Sequence, residues 1–175
     1  MQDGMQNEKR AWFGKLAAVQ PAEMVGLWRG AGIASGHPFD GVLENLQWFG
    51  KRFHPDLRAD ALLFQWQTGR LVPIDPGFIP LRLSLRLGAF GRTGMARNWF
   101  SHLQRSFRAK GTTASLESRS LDGVLSAAMV YDRQPIVDHF RRIDASSVAG
   151  MMIVEGDARR YFFRLEQVVA AEDGR

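Results

Sequence analysis

The sequence predicts a mainly β, α+β protein: an antiparallel β-barrel or strongly curled sheet, with an N-terminal helix and a plugging helix. Three observations carry this. From Thr113 onward, strand candidates alternate with short polar or Pro/Gly connections, the spacing of a sheet that curls or closes. Strands and helices nowhere alternate in a sustained way, so a parallel sheet has no support. Finally, Gly26, Trp28, Gly30 and Gly32 share one face of a strand. Glycine inside a strand marks a bend, a bulge or a close backbone approach, as a small barrel needs where its wall curves.

Taken in order, residues 1–7 are polar and expected to be disordered. Glu8 to Ala18 reads as a helix with Trp12 and Leu16 on one side, and Pro21-Ala22-Glu23 as the first turn of another. The strand around Trp28 ends at the turn Ser35-Gly36-His37-Pro38. Phe39, Val42, Leu43, Leu46, Phe49 and Phe53 then recur at three- and four-residue steps, which predicts one helical stripe N-capped by Asp40. Leu62 to Trp66 and Leu71 to Ile74 read as a hairpin around Thr68-Gly69. Leu81 to Leu87 alternates leucine with Arg82, Ser84 and Arg86, the pattern of a half-buried strand. Trp99, Leu103 and Phe107 predict an amphipathic helix over 95–108. Five further strands are expected at Ala114–Leu121, Val124–Tyr131, Pro135–Ile143, Val148–Val154 and Tyr161–Val168.

The 175 residues, 45% of them hydrophobic, suffice for one sizeable core. No cysteine is present, which excludes disulfides, thiol nucleophiles and thiolate metal sites. Together with the lack of a signal-like N-terminus or an 18-residue apolar run, this predicts a soluble, cytoplasmic protein. The four histidines form no HxH or HExxH pair, so no metal site is expected. The GxSxG elbow, the P-loop and the GxGxxG phosphate loop are also absent.

Candidate ligand-binding residues fall in two groups. In the first half they are Trp28, His37, Asp40, Glu44 and Trp48, with Asp40, Glu44, Gln47 and Lys51 in one arc of the predicted helix. Such a row is more commonly a solvated face, and a tryptophan in a glycine-rich strand more commonly fills a core. In the second half they are Tyr131, His139 and Arg141. On the strand from Pro135, Val137, His139, Arg141 and Ile143 share one face, and Ile136, Asp138, Phe140 and Arg142 the other. Each face mixes apolar and ionisable groups. His139 and Arg141 therefore read equally as polar anchors for a ligand and as partners in an internal salt bridge.

Between Asp75 and Glu117 there is no acidic residue, while Arg82, Arg86, Arg92, Arg97, Arg105, Arg108 and Lys110 all fall there. This excess exceeds the net charge of +5. An anionic partner is one reading, with Arg97, Arg105, Arg108 and Lys110 as contacts and an anionic membrane surface as the partner. The alternative is a solvated basic face. No nucleic-acid motif accompanies the charge, so nucleic acid is disfavoured.

The segment Gly26-Leu27-Trp28-Arg29-Gly30, continued by Ser35 to Phe53, resembles the GXWXG family. Ala127 to Asp144, followed by Val148 to Met152, resembles the domain of unknown function that follows it in that family, with Ile153 where an aspartate is expected. The resemblance implies a bacterial, lipocalin- or calycin-like small barrel without an assigned activity. It divides the chain into an N-terminal helical extension (1–19), a GXWXG-like module (20–75), a basic strand/helix excursion (76–111) and a C-terminal antiparallel sheet (112–175), all sharing one core. Gly26, Trp28, Gly30 and Gly32 also resemble the opening of the nitrobindin haem barrels, in which reading His139 is the candidate iron ligand.

The first-ranked function from sequence is non-catalytic binding of a small apolar or amphipathic ligand inside the barrel. No cofactor is expected, with haem as the alternative. A second reading is an isomerase or hydratase acting on a lipid-like substrate, with Asp40, Glu44 or His139 as general base. A third is membrane or partner docking through 82–110. Oligomeric state is not readable from the sequence.

Overall fold

The computed structural model describes residues 2–66, 69–86, 88–103 and 105–169. Its centre is an antiparallel sheet of nine strands: β1 (Gly26–Ile33), β2 (Trp48–Phe53), β3 (Arg58–Gln65), β4 (Leu71–Pro73), β5 (Ala114–Leu121), β6 (Val124–Tyr131), β7 (Ile136–Arg142), β8 (Ser147–Val154) and β9 (Arg160–Gln167). Their order is β2-β1-β9-β8-β7-β6-β5-β3-β4, and β2 also pairs with β3. Eight strands therefore hydrogen-bond in a ring, with β4 attached outside it. The five strands of the C-terminal third lie within a residue or two of their expected positions.

β3 is where the ring is least complete. One of its edges meets β2 throughout. The other is shared between β5, at Arg58 and Ala59, and β4, at Leu63 to Gln65. Between these pairings the Ala61 N–H donates instead to the Thr113 hydroxyl. The chain leaves the sheet after β4 and returns before β5. The ends of this excursion are stitched together by Asp75 N–H to the Phe107 carbonyl and Ala109 N–H to the Pro73 carbonyl.

The excursion contains three helices, α3 (Leu81–Arg86), α4 (Gly88–Gly91) and α5 (Gly94–Leu103). The strand expected at 81–87 is thus a helix over its described residues; Leu87 and the expected Thr68 turn position lie outside them. Leucines two apart are also leucines four apart, so Leu81 and Leu85 meet on one helical face while Arg82 and Arg86 stay exposed on the other. As a helix the segment satisfies its backbone locally. The helix expected over 95–108 is realised as α5, ending at Leu103.

The predicted helix over 39–53 is corrected more sharply. Only α2 (Val42–Asn45) is helical, and Gln47, at φ 64°, turns the chain out of it. β2 then carries register shifts on both sides of Gly50. This bulge reverses the alternation, so that Trp48, Lys51 and Phe53 all point inward.

Helix α1 (Gln2–Gly14) covers the outer face of β8 and β9. Phe13 packs there on Ala149, Met151 and Phe162 in a second apolar cluster outside the ring. Residues 2–7, expected to be disordered, are helical and anchored: Gln6 is buried, donates to the carbonyls of Ser35 and Arg160, and accepts from Arg160 N–H. Inside the ring, Trp28 donates its indole N–H to the Met24 carbonyl at 2.7 Å and belongs to the main core with Val19, Phe53 and Phe140.

The glycines of the motif make room for a different indole. A β-carbon on Gly30 would lie 2.2 Å from the Trp48 ring, and one on Gly32 would lie 2.5 Å from the Glu44 carboxylate and 2.8 Å from the Tyr161 hydroxyl. Gly30→Ala is expected to cost about 1–3 kcal/mol of stability through overpacking, measurable by urea unfolding. An unchanged midpoint would show that Trp48 yields freely.

Candidate functional site

The ring encloses a cavity of about 140 Å³. Its floor is formed by Trp48, Phe163, Tyr161 and Met152, and its rim by Phe39, Val42, Leu43 and Leu46 around α2. Pro76, Ile79, Leu81, Ser84 and Phe100 of the excursion cover the remaining side. The walls are almost entirely apolar, because inward positions of β3, β7, β8 and β9 are Leu62, Phe64, Ile136, Met152 and Phe163.

Into this apolar space project a lysine and an aspartate, Lys51 from β2 and Asp138 from β7, each about 99% or 98% shielded from solvent (1% and 2% exposed for Asp138 and Lys51). Their Nζ–Oδ2 distance is 2.9 Å. The ammonium also donates to the Ala61 carbonyl at 2.9 Å and the Tyr131 hydroxyl at 3.2 Å. A lysine has three N–H groups, and all are engaged. Its charge also lies 5.2–5.7 Å from the rings of Phe163, Tyr131 and Trp48. Tyr131 in turn donates to Asp138 Oδ2 at 3.2 Å. Burial, then the Asp138 charge, pushes the Tyr131 phenol well above its ordinary value. Burial, followed by the carboxylates of Glu44, Asp40 and Asp138, raises Tyr161 as well. Both phenols stay protonated near neutrality.

Three polar atoms of this wall have no partner among the described residues: Asp138 Oδ1, Tyr161 Oη and Trp48 Nε1. Buried polar groups are nearly always paired; these three are shielded by their neighbours, and His37 Nε2 and Arg141 Nε, away from the cavity, are unpartnered too.

Of the residues singled out from sequence, Trp48 and Tyr131 line the cavity. The others do not. Trp28 sits deeper in the core. Asp40 accepts the backbone N–H groups of Ser35, Gly36 and His37 at 2.8, 2.7 and 3.1 Å and holds the turn before α2. Glu44 accepts from Gly32 N–H and pins α2 to β1. His37 is buried between Phe39 and Tyr161 and accepts from Phe39 N–H through Nδ1 at 3.1 Å. His139 and Arg141 occupy the opposite face of β7, toward the outer layer. There Arg141 stacks over Phe13 at 5.7 Å and donates to the Leu121 carbonyl at 3.0 Å. Among the described residues Arg141 forms no salt bridge, and its partners are the Phe13 ring and backbone carbonyls.

Two expectations change accordingly. None of Asp40, Glu44 and His139 reaches the cavity, so none is placed as a general base there. The cavity also presents no imidazole, and 140 Å³ is benzene-sized, far below a tetrapyrrole, so the residues do not fit haem. Lys51, expected only as part of the polar arc with Asp40 and Glu44, lines the cavity, as do Asp138 and Tyr161, which the sequence did not single out as ligand contacts. Their signal was present: a lysine between aromatic residues in WFGKRF, and an aspartate alternating with Ile136 and Phe140. Among the described residues, no group of three His, Asp or Glu side chains is placed to hold a metal ion, and no helix is long and apolar enough to cross a membrane.

In the basic excursion, Arg92 donates to the Asp40 and Pro38 carbonyls and Arg97 to the Asn45 carbonyl, clamping the excursion onto α2. Arg105 lies over the Trp66 ring at 5.7 Å. Arg105, Arg108 and Lys110 are exposed, as are Phe78, Phe90, Met95 and Trp99, the last at 68%.

Comparison with known proteins agrees with this arrangement. Residues 11–69 match the family described as GXWXG protein, and residues 112–167 match the domain of unknown function DUF4334. Comparison with curated proteins gives no match. A crystal structure of a protein from Thermomonospora curvata is similar at 27% identity and a TM-score of 0.68, over 94% of this chain and 88% of that one. Over these residues the chain carries a match to the GXWXG family followed by a match to DUF4334, the pairing that the sequence resemblance leads one to expect.

Proposed function

We propose that the ring is a lipocalin-like barrel that binds a small, compact, mostly apolar ligand in its interior. The observation that carries the reading is the apolar cavity of about 140 Å³ whose lining includes a buried ion pair, Lys51 with Asp138. An apolar cavity of about this size accommodates a benzene-sized molecule. Non-catalytic binding is favoured over turnover because the carboxylate that lines the cavity, Asp138, is tied to Lys51 and Tyr131. The test is native mass spectrometry of freshly purified protein, followed by thermal-shift titration with toluene. A retained extra mass, or a melting temperature that rises with toluene, is expected. A clean apo mass combined with no shift at millimolar toluene would end the reading.

A second reading concerns how such a ligand arrives. The excursion covers the cavity and presents Phe90, Met95 and Trp99 to solvent within a stretch lacking acidic residues. Apolar side chains among cations suit peripheral contact with an anionic membrane. Co-sedimentation with phosphatidylglycerol vesicles is expected, falling at least about tenfold in the Arg97→Glu, Arg105→Glu, Arg108→Glu variant. Unchanged vesicle binding by that variant would refute it.

A further inference from the structure

Resting on the cavity-binding reading, we infer that the compact group held in the cavity is the end of a longer molecule. The rest of that molecule is an uncharged alkyl chain, and it lies in a second apolar space on the excursion.

That space is a groove of about 240 Å³, lined by Phe78, Phe90, Trp99, Leu103 and Phe107 among others. Leu46, Ile79, Ser84 and Phe100 line both the groove and the cavity, so these side chains stand between the two. All four are half-buried, whereas Lys51, Asp138, Tyr161 and Phe163 elsewhere in the cavity lining are buried. The groove therefore meets the cavity on a solvent-facing side. Leu46, Ile79 and Phe100 carry no hydrogen-bonding side chain, and the Ser84 hydroxyl donates back to the Pro80 carbonyl at 3.1 Å. Phe100 leans on Phe64 with ring centroids 4.7 Å apart. Turning Phe100 aside breaks no side-chain hydrogen bond.

A second groove also touches the cavity, through Ile79, Leu81 and Gln134. There the dividing wall is stitched: Gln134 donates to the carbonyls of Pro76 and Ile79 at 2.8 and 3.0 Å. Its lining includes Arg82, Arg86, Arg133 and Arg159 with Glu155 and Asp157, and burying an alkyl chain against such groups strips them of water. The apolar groove is the better continuation.

The occupant follows from the two linings. The groove presents no charged side chain, and the cavity presents only Lys51 and Asp138, which neutralise each other. A charge on the buried part of the ligand would have no counterion in either space. The cavity holds about six carbons, and a chain that continues past Phe100 buries its further methylenes in the groove.

Calorimetric titration with 1-butanol, 1-hexanol, 1-octanol, 1-decanol and decanoate is the experiment. Affinity is expected to rise about two- to fourfold per methylene beyond hexanol, which places decanol at least about tenfold above hexanol, and decanoate below decanol. The variant Phe90→Glu with Trp99→Glu changes two exposed side chains that line the groove and not the cavity. In it the rise should stop near hexanol, with butanol and hexanol affinities within about twofold of wild type. A plateau at hexanol in the wild type, an unchanged slope in the variant, or binding of toluene but of no alkanol would overturn the inference and leave cavity binding standing. Decanoate binding more tightly than decanol, and losing that advantage in Arg82→Glu with Arg86→Glu, would overturn it in favour of the arginine-lined groove. Failure of every alkanol and of toluene would end both readings.

Discussion

Asp138→Ala is expected to lower the free energy of unfolding by about 3–5 kcal/mol, the range for removing one partner of a buried ion pair. Most of that loss does not come from the attraction itself. The variant leaves the Lys51 ammonium, only 2% exposed, facing the rings of Trp48, Tyr131 and Phe163 without a counterion, and it takes from Tyr131 the acceptor of its hydroxyl proton. Lys51→Met should be similarly costly, because it strands a carboxylate that is 1% exposed. Replacing both, Lys51→Met with Asp138→Leu, should recover most of the stability, since a well-packed apolar pair often equals or exceeds a buried ion pair. Urea unfolding of the four proteins completes the double-mutant cycle. Additive losses in the double variant would mean that the two charges are solvated separately and that the interior is wetter than its lining suggests. The comparison also bears on function: if the apolar pair is more stable than the native one, stability does not account for charges in this cavity, and recognition does.

Why this pair was hard to see in the chain follows from the local geometry. The C-terminal strands were legible because each is a strand-length run between turn residues and pairs with its sequence neighbour. The glycine-tryptophan motif was legible as a place where something large meets the backbone, but its occupant, Trp48, comes from β2 rather than from the motif. Lys51 was placed on a helix because Phe39, Val42, Leu43, Leu46, Phe49 and Phe53 fit one helical stripe, whereas only Val42–Asn45 is helical and Lys51 points inward beyond the bulge at Gly50. Asp138 shares a face with Ile136 and Phe140, but the other face of β7 is also covered, since α1 packs outside the ring. With both faces buried, composition does not reveal which one lines the cavity, and His139 and Arg141 look as interior as Asp138. The helical excursion was misread at Leu81–Arg86 for a related reason: alternating leucines satisfy both periods until one knows whether a strand edge is available.

The second large effect is one of pH, and it centres on His37. Burial lowers its pKa from 6.5 to about 4; Asp40 and Asp157 work against that shift, and Arg159 with it. The geometry agrees, since Nδ1 accepts from Phe39 N–H and a proton there would abolish the bond. The unfolded chain therefore takes up a proton near pH 6.5 that the folded protein refuses until about pH 4. Across that window the unfolded state holds more protons, so stability rises with pH. The contribution is complete above pH 6.5 and is lost as pH falls toward 4, amounting to about 3 kcal/mol. His139, lowered chiefly by its own burial, adds a slope of the same sign. Asp144, held by the Ser147 hydroxyl, and Asp157, held by Arg159, both sit at about 2 and act only at lower pH. His37→Asn keeps an acceptor for Phe39 N–H while removing the titration. Urea midpoints measured from pH 7 to pH 4 should fall steeply for the wild type and much less for the variant, with the residual slope removed by adding His139→Asn. Parallel profiles for wild type and His37→Asn would mean that the imidazole titrates freely. The Ser35–Asp40 turn, and with it the α2 wall of the cavity, would then open to water far more readily than its burial implies.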